Sequence, residues 1–154
     1  MPDIIHASTP LEYFAAEKLF REYAGVLPID LGFQDFEFEM KNLSEMYGSP
    51  QGALLLGIDD NSYIACAGLR EKGDRICELK RMYVVPAFRR KGWAEKLLDE
   101  ALTTAKSHGY ERMRLDTLDS MITALTLYLS HGFIHIPPYY NNPHKNAVYL
   151  EKKL

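Results

Sequence analysis

Between Glu78 and Ala101 the hydrophobic period of the chain changes from that of a strand to that of a helix, and this change constrains the fold most. Glu78 to Val85 mixes apolar with charged and aromatic residues and ends in two β-branched valines, which predicts a strand. Pro86 has no N–H to donate and stops the ladder. After the basic loop Arg89-Arg90-Lys91-Gly92, apolar residues recur at Trp93, Ala94, Leu97, Leu98, Ala101 and Leu102, the spacing of a helix with Gly92 in its first turn. The unpaired N–H groups and positive dipole end of that helix would face whatever lies above the loop, an arrangement suited to phosphate. Gly92 would let the phosphate approach the backbone with no Cβ in the way.

At 154 residues the chain reads as a single domain over 1–154, with 47% hydrophobic and 25% charged residues, ordinary globular values. A net charge of −3 argues against a nucleic-acid binder, while the basic residues clustered between Lys80 and Lys91 favour one anionic ligand. No apolar run approaches the roughly 18 residues that span a bilayer, and the N-terminus lacks the basic and apolar regions of a signal peptide. Cys66 and Cys77 fit no metal or disulfide pattern and read as buried thiols on neighbouring strands, so a reduced, cytoplasmic protein is expected. The five histidines show no ligand spacing, and no metal is assigned.

In order along the chain, Asp3–Ala7 reads as a strand. Thr9 and Glu12 have capping-box spacing, with Pro10 at the first helical position. The helix they start should run to about Tyr23, bury Leu11, Phe14, Ala15, Leu19 and Tyr23, and end at Gly25. A second helix is predicted from about Phe33 to Met46, with Phe36, Met40 and Leu43 inward. Ala53–Ile58 reads as a strand covered on both faces, followed by strands at Tyr63–Arg70 and Glu78–Val85 in an antiparallel meander. The crossover helix ends at His108-Gly109. Met113–Thr117 follows as a strand parallel to the one before, then a helix capped by Asp119 or Ser120, and strands at Phe133–Ile136 and Val148–Leu154. This order describes a mixed α/β sheet with helices on both faces.

Arg89-x-x-Gly92-x-Ala94 resembles the (Gln/Arg)-x-x-Gly-x-(Gly/Ala) signature of GCN5-related N-acetyltransferases, whose loop amides hold the pyrophosphate of acetyl-CoA. Met82-Tyr83-Val84-Val85-Pro86 is similar to that family's fourth strand, and Ala124-x-x-x-Tyr128-x-x-x-Gly132-Phe133 to its helix after the fifth strand. Met121 stands where the family commonly has Asn, which puts one polar contact to the cofactor in doubt. The resemblance covers essentially the whole chain. It implies the acyl-CoA N-acyltransferase fold, a mainly antiparallel sheet of about six to seven strands with about four helices.

The resemblance also implies roles. Acetyl transfer requires deprotonation of an amine, stabilisation of an oxyanion, protonation of the leaving thiolate and positioning of both substrates. Tyr128 is the candidate acid, although its spacing with Ala124 and Leu125 equally describes a core aromatic. Glu78, eleven residues before Arg89, is the candidate base, with a pKa expected to be raised by partial burial. The alternatives are a structural ion pair with Lys80 or Arg81, or a base supplied by ordered water. Met82, Tyr83 and Val84 would line the pantetheine arm, Met82 and Val84 through their backbones. Arg89, Arg90 and Lys91 would add charge near the phosphates, and Gly92, Trp93 and Ala94 backbone contacts, with the Trp93 ring serving as packing.

On the acceptor side the family uses segments that correspond to Val26–Phe36 and Pro137–His144. Asp30 and Asp35 are candidates to attract a cationic amine, Phe33 is a candidate contact, and Tyr139 and Tyr140 would form an aromatic wall. The leading expectation is an acetyl-CoA-dependent N-acetyltransferase acting on a small primary amine, such as an amino acid or polyamine, by direct attack in a ternary complex. Acetylation of a protein lysine or N-terminus, and a non-catalytic acyl-CoA-binding regulatory module, are the competing expectations. A homodimer is compatible with the sequence.

Overall fold

The computed structural model describes residues 3–154, and everything below concerns those residues. β1 (Asp3–His6) leads through Thr9 into α1 (Pro10–Val26), where the predicted capping box forms: Glu12 N–H donates to Thr9 Oγ1 and the Glu12 carboxylate accepts from Thr9 N–H. A 3-10 turn (Leu31–Gln34) and two short helices, α2 (Phe36–Lys41) and α3 (Leu43–Met46), stand where one helix was expected. The break has local causes. Asp35 is left-handed (φ 59°), and the Asn42 side chain donates to Phe38 O, ending α2. Phe36, Met40 and Leu43 nevertheless face inward as anticipated.

The sheet then builds from β2 (Ala53–Asp59), β3 (Ser62–Gly73) and β4 (Ile76–Val84), followed by α4 (Trp93–Ser107), β5 (Arg112–Leu118), α5 (Ile122–Ser130), β6 (Ile134–His135) and β7 (Ala147–Lys153). The strand order is β1-β2-β3-β4-β5-β7-β6, antiparallel throughout except for the β4–β5 pair. Gly92 (φ 85°) is the residue before α4 rather than part of its first turn, and α5 begins after Met121 with no side-chain cap from Asp119 or Ser120.

Alternation along the central strands feeds two cores. Leu55, Leu69, Leu79 and Leu115 pack beneath α4, while Leu54, Leu56 and Cys66 pack beneath α1–α3. Cys77 belongs to the first core and Cys66 to the second. The two thiols thus point to opposite faces, and burial pushes both pKa values up, Cys77 to about 12. The α1 stripe is rotated from its expected phase. Ala16, Leu19 and Phe20 are buried, whereas Leu11 and Phe14 are 68% and 66% exposed. At about 100° per residue, Leu11 and Phe14 lie on the far side of the helix from Ala16.

One irregularity shapes the sheet. The β3–β4 register passes from Cys66↔Tyr83 to Gly68↔Lys80, so Arg81 and Met82 oppose the single residue Ala67. This is a β-bulge, and Arg81 takes a left-handed conformation in it (φ 60°). The arginine is held by a buried bidentate pair with Glu39 of α2: Nε donates to Oε2 at 3.1 Å and an Nη atom to Oε1 at 2.8 Å. Tyr47 O–H also donates to Glu39 Oε2 at 2.8 Å, and its ring lies against Gly68, where a Cβ would come within 2.5 Å of Tyr47 Cε1. Gly68 is thus fixed by close packing. The sheet opens just before the bulge. The β4–β5 ladder ends at Glu78↔Arg114, while β5 continues with β7 as far as Leu118↔Ala147.

Removing the charge of Glu39 would leave Arg81 buried without a counter-charge. Glu39→Gln should therefore lower stability by about 3–5 kcal/mol in urea unfolding. Arg81 and the Tyr47 hydroxyl hold the Glu39 carboxyl below the usual carboxylate range despite the opposing effect of burial. Its stabilisation is thus present above the ordinary carboxyl pKa and lost as pH falls through the lowered native value. Glu39→Gln should correspondingly flatten the acid limb of the stability profile.

Candidate active site

The parted strands border a cleft that is partly open to solvent. Leu79–Met82 line one wall and Leu115–Leu118 the other, with Tyr128 of α5, Tyr23 of α1 and the 3-10 turn at its ends. Below the last rung of the β4–β5 ladder the strands satisfy each other. Above it, the edge of β4 facing the cleft has no strand partner.

Tyr128 is 7% exposed, and its ring packs edge-on against Phe133 at 5.8 Å. Its hydroxyl makes no hydrogen bond among the described residues, although the side chain lines the cleft. No fully enclosed side-chain polar atom there lacks a partner, so the hydroxyl reaches the cleft's solvent. Burial pushes the phenol pKa well above its usual value, which keeps the proton on the oxygen as a donor.

Glu78 departs from expectation. It is 1% exposed, yet its pKa is lowered rather than raised. Desolvation favours the neutral acid, but Lys80, Arg70, Lys72 and the Tyr139 hydroxyl together outweigh it. Arg70 Nε donates to Oε1 at 3.0 Å and Tyr139 O–H to Oε2 at 2.8 Å, so both carboxylate oxygens are occupied. The residue lies on the last rung of the ladder, just below the cleft.

At the mouth, no side chain caps α4, and its first backbone bond runs from Lys96 N–H to Gly92 O. The N–H groups of Trp93, Ala94 and Glu95 are left to the loop. Gly92 and Lys91 are exposed, as is Arg90 (φ 64°), and nothing lies within 4 Å of a Cβ built on Gly92. Arg89 behaves differently from its neighbours: Nε donates to Val84 O at 2.9 Å and the guanidinium stacks over the Tyr83 ring at 5.6 Å. The carbonyl of Val84 is thus occupied by the loop itself. Met82 lines the cleft, while Tyr83 turns into the α1-side core. The Trp93 ring is packing, as expected, and it explains Gly57, where a Cβ would meet Trp93 Cζ3 at 2.9 Å.

On the acceptor side, Asp30 is an exposed cap whose Oδ1 accepts from Gly32 N–H at 2.8 Å, and Asp35 is the exposed left-handed junction before α2. Asp30 serves the turn through its side chain, and Asp35 through its backbone N–H, which donates to Gly32 O at 3.0 Å. Phe33 stacks edge-on with His144 at 5.2 Å. Tyr139 and Tyr140 form an aromatic cluster with Tyr149, and the Tyr140 hydroxyl donates to Asp116 Oδ2 at 2.6 Å.

Two charged residues of the cleft were not among the expected site residues: Lys80, read only as part of the basic cluster and as an ion-pair partner of Glu78, and Asp116. Lys80 is 7% exposed, with Nζ donating to the Gln34 side-chain oxygen at 3.2 Å. Asp116 lines the opposite wall. Both follow the i, i+2 alternation from Glu78 and Arg114, which places them on one sheet face, but only the parting of the strands exposes that face to a cleft. Burial and the adjacent Arg81 lower the Lys80 pKa from 10.5 to about 8. Holding it charged therefore costs stability below about pH 8, a cost that disappears as pH rises toward 10.5.

The sequence profile of the Acetyltransferase (GNAT) family matches residues 15–133, and the chain belongs to that family. An uncharacterized N-acetyltransferase of Schizosaccharomyces pombe is 36% identical over 138 residues, 88% of this chain and 85% of that protein. Human N-acetylaspartate synthetase is 29% identical over 128 residues, 82% of this chain and 40% of its own length. The crystal structure of a GNAT acetyltransferase from Staphylococcus aureus superposes with TM-score 0.83 over 99% of both chains at 20% identity. A GNAT acetyltransferase of Elizabethkingia anophelis with acetyl-CoA bound gives 0.70, covering 99% of this chain and 98% of that one, also at 20% identity. The protein is an N-acetyltransferase with the acyl-CoA N-acyltransferase fold.

Glu78 raises the pKa of Lys80, so neutralising the carboxylate should depress it further. The ¹³Cε resonance of Lys80 should titrate near pH 8 in the native protein and at a lower pH in Glu78→Gln. An unchanged midpoint would show that the two charges do not communicate.

Proposed function

We propose that this chain transfers the acetyl group of acetyl-CoA to the primary amine of a small molecule by direct attack in a ternary complex, acting as a single cytoplasmic domain. One observation carries the reading: a strand edge without a partner leads straight to an uncapped helix start, and an unpartnered phenol borders the same cleft. The pantetheine arm would bond the free edge of β4 at Met82 and at the N–H of Val84. The pyrophosphate would rest on the amides of Gly92, Trp93 and Ala94, with Arg90 and Lys91 supplying charge. Arg89 would either keep its bond to Val84 O or exchange it for a phosphate oxygen.

In the transfer step the amine lone pair attacks the thioester carbon, the C–N bond forms and the C–S bond breaks. The departing thiolate takes the proton of Tyr128. That phenol sits well above a thiol in basicity, so transfer is favourable only where the thiolate is itself desolvated, as it would be in this cleft. The proton lost by the amine goes to water in the cleft. Glu78 is poorly matched to receive it, because a carboxylate held below its normal range by an arginine and a phenol is a weak base. We assign Glu78 the task of holding Tyr139 and Arg70.

The strap carrying Tyr139 and Tyr140 is tied by their hydroxyls to Glu78 and Asp116, leaving a compact site that suits a small acceptor better than a protein tail. One relative, N-acetylaspartate synthetase, is named for a small acetylated amino acid, in line with this reading.

Thiol release from acetyl-CoA over a panel of amino acids, polyamines and lysine peptides tests the proposal directly. Turnover with small amines is expected, and binding of CoA with no turnover on any acceptor would leave a regulatory binding module instead. Tyr128→Phe should reduce kcat at least about tenfold with little change in CoA affinity, and near-full activity would remove Tyr128 from the mechanism.

A further inference from the structure

Of the cations Arg70 on β3 and Lys80 and Arg81 on β4, one is not balanced. Arg81 is neutralised by Glu39, and Arg70 by Glu78. Arg112 and Arg114 on β5 share Glu151. Lys80 has only the neutral Gln34 amide within hydrogen-bonding distance. The nearest oxygen of Glu78 is 3.9 Å away and already accepts from Arg70. A buried ammonium with three N–H groups and one partner retains donor capacity, and this one lines the cleft.

Across the cleft stands the complementary group. The parallel register Ile76↔Arg112, Cys77↔Met113, Glu78↔Arg114 sets Lys80 opposite Asp116 two residues on, just where the ladder has ended. Asp116 accepts from Tyr140 through Oδ2, and Oδ1 has no partner among the described residues. Asp116 influences the Lys80 titration, yet no nitrogen–oxygen contact within 4.0 Å joins them. A buried cation and a half-buried anion thus face each other across the cleft, each with unused hydrogen-bonding capacity. A ligand with the opposite pair of charges would engage both.

We propose that the acceptor is an α-amino acid bound as a zwitterion, its carboxylate on the Lys80 ammonium and its amino group toward Asp116 Oδ1. This rests on the acetyltransferase reading and specifies its acceptor. A polyamine would bring only positive charge to a site that already holds a buried cation. A peptide N-terminus would present an amide where Lys80 needs an anion. The grip also orients the nucleophile: with the carboxylate anchored on β4, the amine is held in the cleft bordered by Tyr128.

The test compares kcat/KM for the L-amino acids with their α-carboxamides and with the corresponding decarboxylated amines, using acetyl-CoA as donor. At least one amino acid should exceed its carboxamide by tenfold or more. Lys80→Met, which keeps volume but removes charge, should reduce that ratio to within about twofold of unity, as expected for loss of one charged contact. Because the wild-type comparison stands alone, a poorly folding variant would not rescue the proposal. Carboxamides, polyamines or peptides used as well as the free amino acids would overturn it and leave the acetyltransferase reading intact. A preference that survives in Lys80→Met would also overturn it. No thiol release with any acceptor would instead defeat the underlying reading.

Discussion

The buried pair between Arg81 and Glu39 is the interaction on which the site depends. An arginine in a left-handed conformation inside a strand is strained, and it persists only because two hydrogen bonds to Glu39, reinforced by Tyr47, fix its side chain on the α2–α3 side. The bulge that results bends β4 beside the point where its pairing with β5 ends at Glu78. Every later feature follows from that parting: the free strand edge, the cleft, and the exposure of Lys80 and Asp116 to it. Charge has been buried here to set a backbone path, and stability alone would be served as well by apolar packing.

The polar half of the sheet face is organised around carboxylates that accept from tyrosines. Glu39 takes Tyr47, Glu78 takes Tyr139 and Asp116 takes Tyr140, so each acidic group fixes an aromatic ring as well as a charge. The last two tie the strap between β6 and β7 to β4 and β5, one on each side of the gap. An acceptor bound at Asp116, as proposed, would therefore be linked to strap position through one carboxylate. Burial drives the pKa values of Tyr139 and Tyr140 upward and keeps both phenols protonated as donors.

Much of this architecture was legible in the sequence because its signals are local. The capping box at Thr9, the change of period after Pro86 and the fully apolar run at β2 each act over a few residues. What stayed hidden was set by tertiary context. The phase of α1 depends on Phe20 reaching the second core, which leaves Leu11 and Phe14 in solvent. The second helix fragments because Asp35 and Asn42 satisfy the chain locally. Glu78 could be identified as a buried carboxylate, but the sign of its pKa shift required the positions of Arg70, Lys72, Lys80 and Tyr139. Asp30 offered a charge in the right segment and spends it on its own turn. Lys80 and Asp116 look like ordinary strand residues until the register shows that they meet where the strands part.

Amide hydrogen exchange with and without acetyl-CoA tests the central claim most directly, because it reads the backbone groups that the parted sheet leaves free. Binding should slow exchange at Met82 and Val84 on the open edge of β4 and at Gly92, Trp93 and Ala94 at the start of α4. Exchange at the paired rungs below Glu78 should be unaffected. Protection confined to other parts of the chain, with these amides unchanged under saturating acetyl-CoA, would contradict the account.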